Sequence, residues 1–421
     1  MKQKKVVYPL KQKVFRPSCF EENDNARFLH NMYFKYRRHY LKKAAGGFIT
    51  KPFIKVWKWL WLEVMVKSNE LIKHNGKVIK EETGFSNLRQ HTDLVKTSLA
   101  IPCRPQDYYI FELYKPENKK RACNFIFRYE VKNVLYKMLI ETDNIREISP
   151  LTNKGDFTKK ARDAGLPIVP VICTIINNQV EYYDKPVKAD LFAKALDGRG
   201  GRGAEVWYYM RKKNGFKKKK QKKYKLYSFE EIVEYYRGKS FAKPVIIQEK
   251  VKNHPEISDL ACEAVSTCRV ITMINEKNQP EVVTAVFRMA ARKGKIVDNI
   301  HKGGIASPID IESGVLGQAT NLGIQVGLGR LSHHPVTGAL IEGRKLPYWQ
   351  EVSELAVHAH EFFRPRVIIG WDICLTDRGP VIIEGNAQPC VDLIQRPHNK
   401  PLSETRFGEL MVHNLEKQYI I

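Results

Sequence analysis

The chain has no Cys-x-x-Cys pair: its eight cysteines stand singly at 19, 103, 123, 173, 262, 268, 374 and 390. That argues against a zinc ribbon or a dithiol redox centre, both of which need thiols at short spacing. Long apolar runs are missing too. The most apolar stretch, residues 56–66, is interrupted by Lys58 and Glu63, whereas a membrane-spanning helix needs about 20 apolar residues. The basic N-terminus has no apolar signal core, so export and a disulfide framework are not expected and a reducing cytoplasm is. Acidic residues are scarce in two segments only. Residues 1–60 hold 15 basic and 3 acidic side chains, and residues 211–225 hold 10 basic and none acidic. These stretches carry +22 of the formal net charge of +26, which leaves only +4 for the other 346 residues. A phosphate-rich partner or an anionic lipid surface suits such segments. The main body is not basic, and nucleic acid is not an expected partner.

What is present suits a large packed protein. With 43% hydrophobic residues in 421, the chain can bury a core, and at roughly 100–200 residues per domain it holds two to four domains. Residues 1–105 read as a basic, mostly helical region: NDNARFLHNMYFKYRRHYLKKA has cap residues, an apolar stripe and a Gly46-Gly47 stop. A second helix is expected over residues 52–74. Its Trp57, Trp59 and Trp61 do not share one helical face, so they pack on two sides or sit at a lipid boundary. Residues 107–115 and 124–131 read as short strands or strand–helix starts. Residues 152–170 read as a helix ended by Gly165, with a strand after it. From residue 187 onward β-branched runs alternate with glycine turns and a few helices, the pattern of an α+β fold rich in antiparallel hairpins. Boundaries near 188 and 250 divide this part into three segments, 106–188, 189–250 and 251–421. The basic run 211–225 reads as a solvated loop between two strands.

Three features carry chemistry. Gly198-Arg199-Gly200-Gly201-Arg202-Gly203 lies between two strands. Glycines in such a loop let backbone N–H groups approach phosphate oxygens, and Lys194, four residues before it, can point at the same phosphates. The loop is neither a Walker A motif nor a Rossmann fingerprint, since a strand follows it. Read alone, it is equally a bare hairpin tip. The second feature is GWDICLTDRGPVIIEGN. In a hairpin centred near Arg378, Asp372 lies across from Glu384, and Asn386 shares its face. Two carboxylates this close raise each other's pKa unless a cation intervenes. Hard oxygen donors without His or Cys suit Mg²⁺, with Mn²⁺ as the alternative. The third feature is the strand end Gln248, Glu249, Lys250 and Val251, followed by His254 and Glu256. Such an edge can hydrogen-bond an adenine, with a ribose beyond it; a plain strand leading into a loop fits equally. His333, His334, His358 and His360 lack a metal-ligand pattern and read as structural.

Taken together, these features resemble the ATP-grasp superfamily from about residue 149 to 388. Lys154 stands where that superfamily has its first ATP-contacting lysine. TCRVIT, VFRMA, VDN-x₂-KGG, HHPVTG, GWD and IEGN resemble, more narrowly, the sugar-transfer-associated ATP-grasp proteins. The resemblance implies ATP held between two α+β subdomains and contacted by Lys154, Lys194, Gly200, Gly201, Arg202, Gly203, Gln248, Glu249, Lys250, Val251, His254 and Glu256. It implies Mg²⁺ on Asp372, Glu384 and Asn386. It also implies activation of a carboxylate as an acylphosphate and capture by an amine, with a small-molecule carboxylate and an amine or sugar acceptor as substrates. Arg288 or Arg269 would face the transferred group, and Asn299, Lys302 and Gly303 the acceptor. A kinase that stops at phosphorylation, and a basic protein that binds nucleic acid or an anionic membrane, are the alternatives. Two departures stand out: Asn153 where an acid is usual, and the basic insert at 211–225.

Overall fold

The computed structural model describes residues 21–44, 64–101, 103–139, 150–196, 203–219, 225–241, 243–292, 294, 298, 300–324 and 329–419. Trp57, Trp59, Trp61, Gly200, Gly201, Arg202 and Asn299 lie outside them, as does the side chain of Lys302.

The first helix, α1 (Asp24–Ala44), starts where Asn23 Oδ1 accepts the Ala26 N–H at 2.7 Å. It buries Phe28, Leu29, Met32 and Tyr33, one stripe at helical spacing. The helix α2 (Lys67–Thr83) runs past residue 74 to stop at Gly84, whose φ of +72° closes a left-handed cap. Ser86 then caps α3 (Asn87–Ala100). Residues 107–115 and 124–131 differ from the strands expected. Pro105–Ile110 is helical, with Asp107 Oδ2 accepting the Arg104 N–H at 2.7 Å, and Arg128–Glu130 opens another helix that widens into a π-turn over Val131–Leu135. The reason is burial on every side: Tyr108, Tyr109, Ile110, Phe111, Leu113 and Tyr114 are all in one core, so no polar alternation distinguishes the two periods.

After α4 (Lys154–Asp163), capped by Asn153 and ended at Gly165, come two antiparallel sheets. The first has β1 (Val171–Ile176), β2 (Gln179–Tyr182), β3 (Leu191–Ala195), β4 (Glu205–Met210), β5 (Gly215–Lys218) and β6 (Val245–Glu249), in the order β2-β1-β6-β3-β4-β5. The helix α5 (Phe229–Ser240), begun by a Ser228–Glu231 capping box, packs on it through Phe229, Ile232, Val233 and Tyr236. The basic run is not all loop. Arg211–Lys213 makes a tight turn, Asn214 takes a left-handed conformation, and β5 returns along β4. Part of its charge is used internally: Lys218 pairs with Glu205 at 2.5 Å and Lys219 with Glu263 at 2.6 Å.

The second sheet has β7 (Thr267–Ile274), β8 (Pro280–Met289), β9 (Ile305–Ile309), β10 (Ala319–Thr320), β11 (Arg330–Leu331), β12 (Ile368–Thr376) and β13 (Gly379–Asn386), in the order β11-β10-β9-β8-β7-β12-β13. Both faces are covered, which is why β7 and β12 are buried along their whole length. Cys268, Val270, Ile369, Trp371 and Ile373 meet α6 (Trp349–Phe362) on one face. Ile271, Met273, Val286 and Ile368 meet α1 and α8 (Arg406–Tyr419) on the other, with α7 (Asp392–His398) beside them. Among the described residues, no helix is long and apolar enough to cross a membrane.

Candidate active site

Register sets the site. Thr376 pairs with Gly379, so the turn between β12 and β13 is Asp377-Arg378. A regular hairpin around that turn would put Glu384 across from Trp371, on the face that α6 covers. The pairing instead shifts between Asp372 and Ile373: Ile373 faces Ile382, and Asp372 faces Glu384. Ile383 is the extra residue of a β-bulge, which turns Glu384 and Asn386 out of the core face and onto the face of Asp372. The pair expected from symmetry about Arg378 is therefore present, but it comes from a tighter turn and a bulge.

Asp372 is not an unpaired carboxylate. Arg269, directly across on β7, holds it with two bonds, Nε to Oδ1 at 2.5 Å and Nη2 to Oδ2 at 2.9 Å. Arg288 on β8 adds Nη1 to Oδ2 at 3.0 Å and reaches Asp298 Oδ1 with Nη2 at 2.7 Å. Thr267 Oγ1 donates to the other oxygen of Asp298. The arginines and both acids are under 10% exposed. Burial disfavours the charge on Asp372, yet Arg269 and Arg288 outweigh it and hold the carboxyl well below the usual carboxylate range. At Asp298 burial outweighs Arg288 and the pKa is raised. The two arginines expected to face the transferred group are each paired with acids, in an Arg–Asp–Arg–Asp chain. Sequence patterns had no way to find this chain, because its links cross three strands.

Glu384 and Asn386 sit beside this chain. Asn386 donates its amide to Gly370 O at 3.2 Å and lies 3.5 Å from Glu384 Oε1, which orients the amide oxygen away from the strand. Among the described residues Glu384 makes no ion pair, and no three His, Cys, Asp or Glu side chains gather as a metal site. Lys194 of β3, in the other sheet, lies within electrostatic range of Glu384 and Asp372. Burial lowers its pKa, Lys154 adds to that, and Glu384 and Asp372 oppose it. Lys154, at the start of α4, donates to Leu196 O at 3.1 Å. The two lysines thus feel each other's charge, and Lys194 also feels the hairpin acids.

The other candidates lie as follows. Gln248 is buried in β6, the Glu249 N–H bonds Pro170 O, and the Lys250 N–H bonds Asp190 O. Burial lowers the pKa of Lys250. His254 spends Nδ1 on the Glu256 N–H at 3.3 Å and packs edge-on against Tyr348. Gly203 and Gly303 have φ of +72° and +86°, conformations that favour glycine. His334 and His360 are buried and bonded to backbone carbonyls, structural as expected.

Gly370, under the site, leaves little room for a side chain. A Cβ there would stand 2.8 Å from Pro389, 3.2 Å from Ile271 and 3.4 Å from the Arg269 side chain. Gly370→Ala is expected to cost about 1–3 kcal/mol by overpacking, read as a lower thermal midpoint. An unchanged midpoint would show that this strand can move.

Residues 136–407 match the family described as sugar-transfer associated ATP-grasp. No curated protein matches the chain. Among solved structures it is similar to D-alanine–D-alanine ligase from Bacillus anthracis, at 12% identity and a TM-score of 0.34 over 64% of this chain and 68% of that one. It is also similar to D-alanyl-alanine synthetase A from Vibrio cholerae, at 13% and 0.37 over 64% and 66%. A biotin carboxylase from Campylobacter jejuni is similar at 12% and 0.36 over 63% of this chain and 46% of that one. Asp372, Glu384, Asn386, Lys154 and Lys194 all fall inside the matched span, which covers more than half the chain, and the chain belongs to the sugar-transfer associated ATP-grasp family.

Proposed function

We propose that this chain is an ATP- and Mg²⁺-dependent ligase that activates a carboxylate and joins it to an amine or similar nucleophile in glycoconjugate or surface-polysaccharide modification. The observation that carries the reading is the pairing of Asp372 with Glu384 on one face of the second sheet, within electrostatic range of Lys194 from the first. Cations on one wall and hard oxygen donors on the other are what a polyphosphate and its divalent cation require of a cleft.

The donor set fits Mg²⁺. Glu384 offers a carboxylate and Asn386 an amide oxygen. Asp372 accepts three hydrogen bonds, and a carboxylate has about four acceptor sites, so one remains. When bound, ATP supplies a transferable phosphoryl group and Mg²⁺ neutralises charge around it. In this reading Lys154 and Lys194 bind phosphate oxygens, while Gly200, Gly201, Arg202 and Gly203 cover them. Gln248, Glu249, Lys250 and Val251 orient the base, with His254 and Glu256 beyond. Arg269 and Arg288 act as positioning residues, holding Asp372 at one angle so that the ion site does not have to reorganise. Asn299, Lys302 and Gly303 stand on the acceptor side.

The test is a screen of amino acids and sugar amines with Mg²⁺ and ATP. ADP release stimulated by a particular substrate pair, with the adduct seen by mass spectrometry, is expected. Failure of the protein to bind ATP in calorimetry, with no ADP release across the set, would overturn the reading.

A further inference from the structure

Tyr136 starts the helical turn Tyr136–Met138, directly after the π-turn Val131–Leu135. Its own N–H bonds Val131 O, five residues back rather than four. Each residue advances an α-helix by about 100°, so the extra residue in that turn re-aims the side chains after it. Val131, Val134, Leu135 and Tyr136 are buried in the same core as Val391, Leu393 and Ile394, on the segment that leaves the site hairpin. The Tyr136 side chain is 1% exposed, and its hydroxyl donates to Pro389 O at 2.9 Å.

Pro389 stands three residues after Asn386, where β13 ends and the sheet ladder no longer fixes the backbone. From there to α7 the chain is held by side chains. At the far end Gln395, fully buried, accepts the Ile126 and Leu402 N–H groups with Oε1, each at 3.0 Å, and donates to Ile126 O at 2.8 Å. At the near end Pro389 lies against Gly370, so close that a Cβ on the glycine would stand 2.8 Å from it. Gly370 is the ladder partner of Asn386, and its carbonyl accepts the Asn386 amide at 3.2 Å. That amide nitrogen is in turn 3.5 Å from Glu384 Oε1. One run of contacts therefore leads from the Tyr136 hydroxyl through Pro389 and Gly370 to Asn386 and Glu384. Tyr136, Pro389 and Gly370 carry no charge, so the run acts through position rather than through a field.

We infer that Tyr136 is a positioning residue for the metal site: its hydroxyl holds Pro389 against Gly370 and so fixes the angle at which Asn386 and Glu384 meet the divalent cation. The ion ligands are those of the ligase reading, on which this role rests. Mg²⁺ demands near-octahedral geometry and tolerates little drift in its ligands. Groups that hold such ligands from behind therefore matter, and losing one costs about 10–100-fold in metal affinity.

The experiment measures Mn²⁺ affinity by EPR in full-length protein with ADP present, with Mg²⁺ as the competitor, since both ions take oxygen donors. Tyr136→Phe keeps the ring and its packing and deletes only the hydroxyl. It is expected to bind Mn²⁺ about tenfold or more weakly than the wild type. Pro389→Ala keeps the carbonyl but takes the ring off Gly370, and a similar loss is expected there. Tyr108→Phe controls for a purely structural effect. Tyr108 donates to Asp93 Oδ2 at 2.7 Å in the N-terminal helical core, so its loss should lower the thermal midpoint and leave Mn²⁺ affinity unchanged. Wild-type affinity in folded Tyr136→Phe, or in Pro389→Ala should the first variant not fold, overturns the positioning role and leaves the ligase reading standing. An equal weakening in Tyr108→Phe also overturns it, because the loss would then follow stability alone. Absence of Mn²⁺ binding to the wild type with ADP overturns the metal site, and the ligase reading with it.

Discussion

Glu384→Ala and Lys194→Ala should each fold as the wild type does and turn over ATP about 10²–10³-fold more slowly. The two expectations have one origin. Among the described residues Glu384 makes no ion pair and is only partly buried, so its removal breaks no bonded pair, although Lys194 loses a charge that favours its protonated form. Lys194 is held below its ordinary pKa by burial, so its removal relieves a desolvation cost. Neither change should lower the thermal midpoint appreciably. Both remove a charge from the proposed phosphate-binding group, and charge neutralisation is the main protein contribution to phosphoryl transfer. The measurement is ADP release with Mg²⁺ and the substrate pair found by screening, alongside a melting curve. Folded variants with wild-type turnover would remove these residues from the chemistry.

Asp372→Ala should behave differently, because here stability goes first. The carboxylate is 5% exposed and is shared by two buried guanidinium groups. Removing one partner of a buried ion pair costs about 3–5 kcal/mol, since the cations left behind stay desolvated. The pH dependence follows from the direction of the shift. Arg269 and Arg288 hold the folded-state pKa of Asp372 below its unfolded value, so its contribution is complete above about pH 4 and fades as pH falls through the folded-state value. Urea midpoints of wild type and variant should therefore differ most at neutral pH and converge in acid. Equal midpoints at pH 7 would mean that the Arg–Asp–Arg–Asp chain contributes nothing to stability. If both predictions hold, the hairpin divides its work: Asp372 is built into the scaffold, and Glu384 with Asn386 faces the ligand.

Legibility from the sequence varied with the kind of burial. The one-sided helices α1 and α5 lie where their periodicity puts them, and the fully buried β1 and β12 are marked instead by short β-branched runs bounded by turns. The aromatic run at 108–114 is buried on all sides, and there the pattern failed to separate helix from strand. The basic run misled for another reason. Like charges suggest a solvated loop, but β5 is an edge strand whose lysines find Glu205 and Glu263 in neighbouring elements.

The sequence by itself determined the family and the α+β class and singled out the candidate acids, amide and lysines, because these are carried by local motifs with fixed spacing. Only the tertiary structure decided which charges are already satisfied. Arg269 and Arg288 meet Asp372 from two other strands, and Arg288 reaches on to Asp298. Coulomb interactions depend on distance and desolvation, and neither is encoded in the spacing of residues along a chain. The bulge at Ile383 makes the same point at the smallest scale: one unpaired residue decides whether Glu384 faces the core or the cleft.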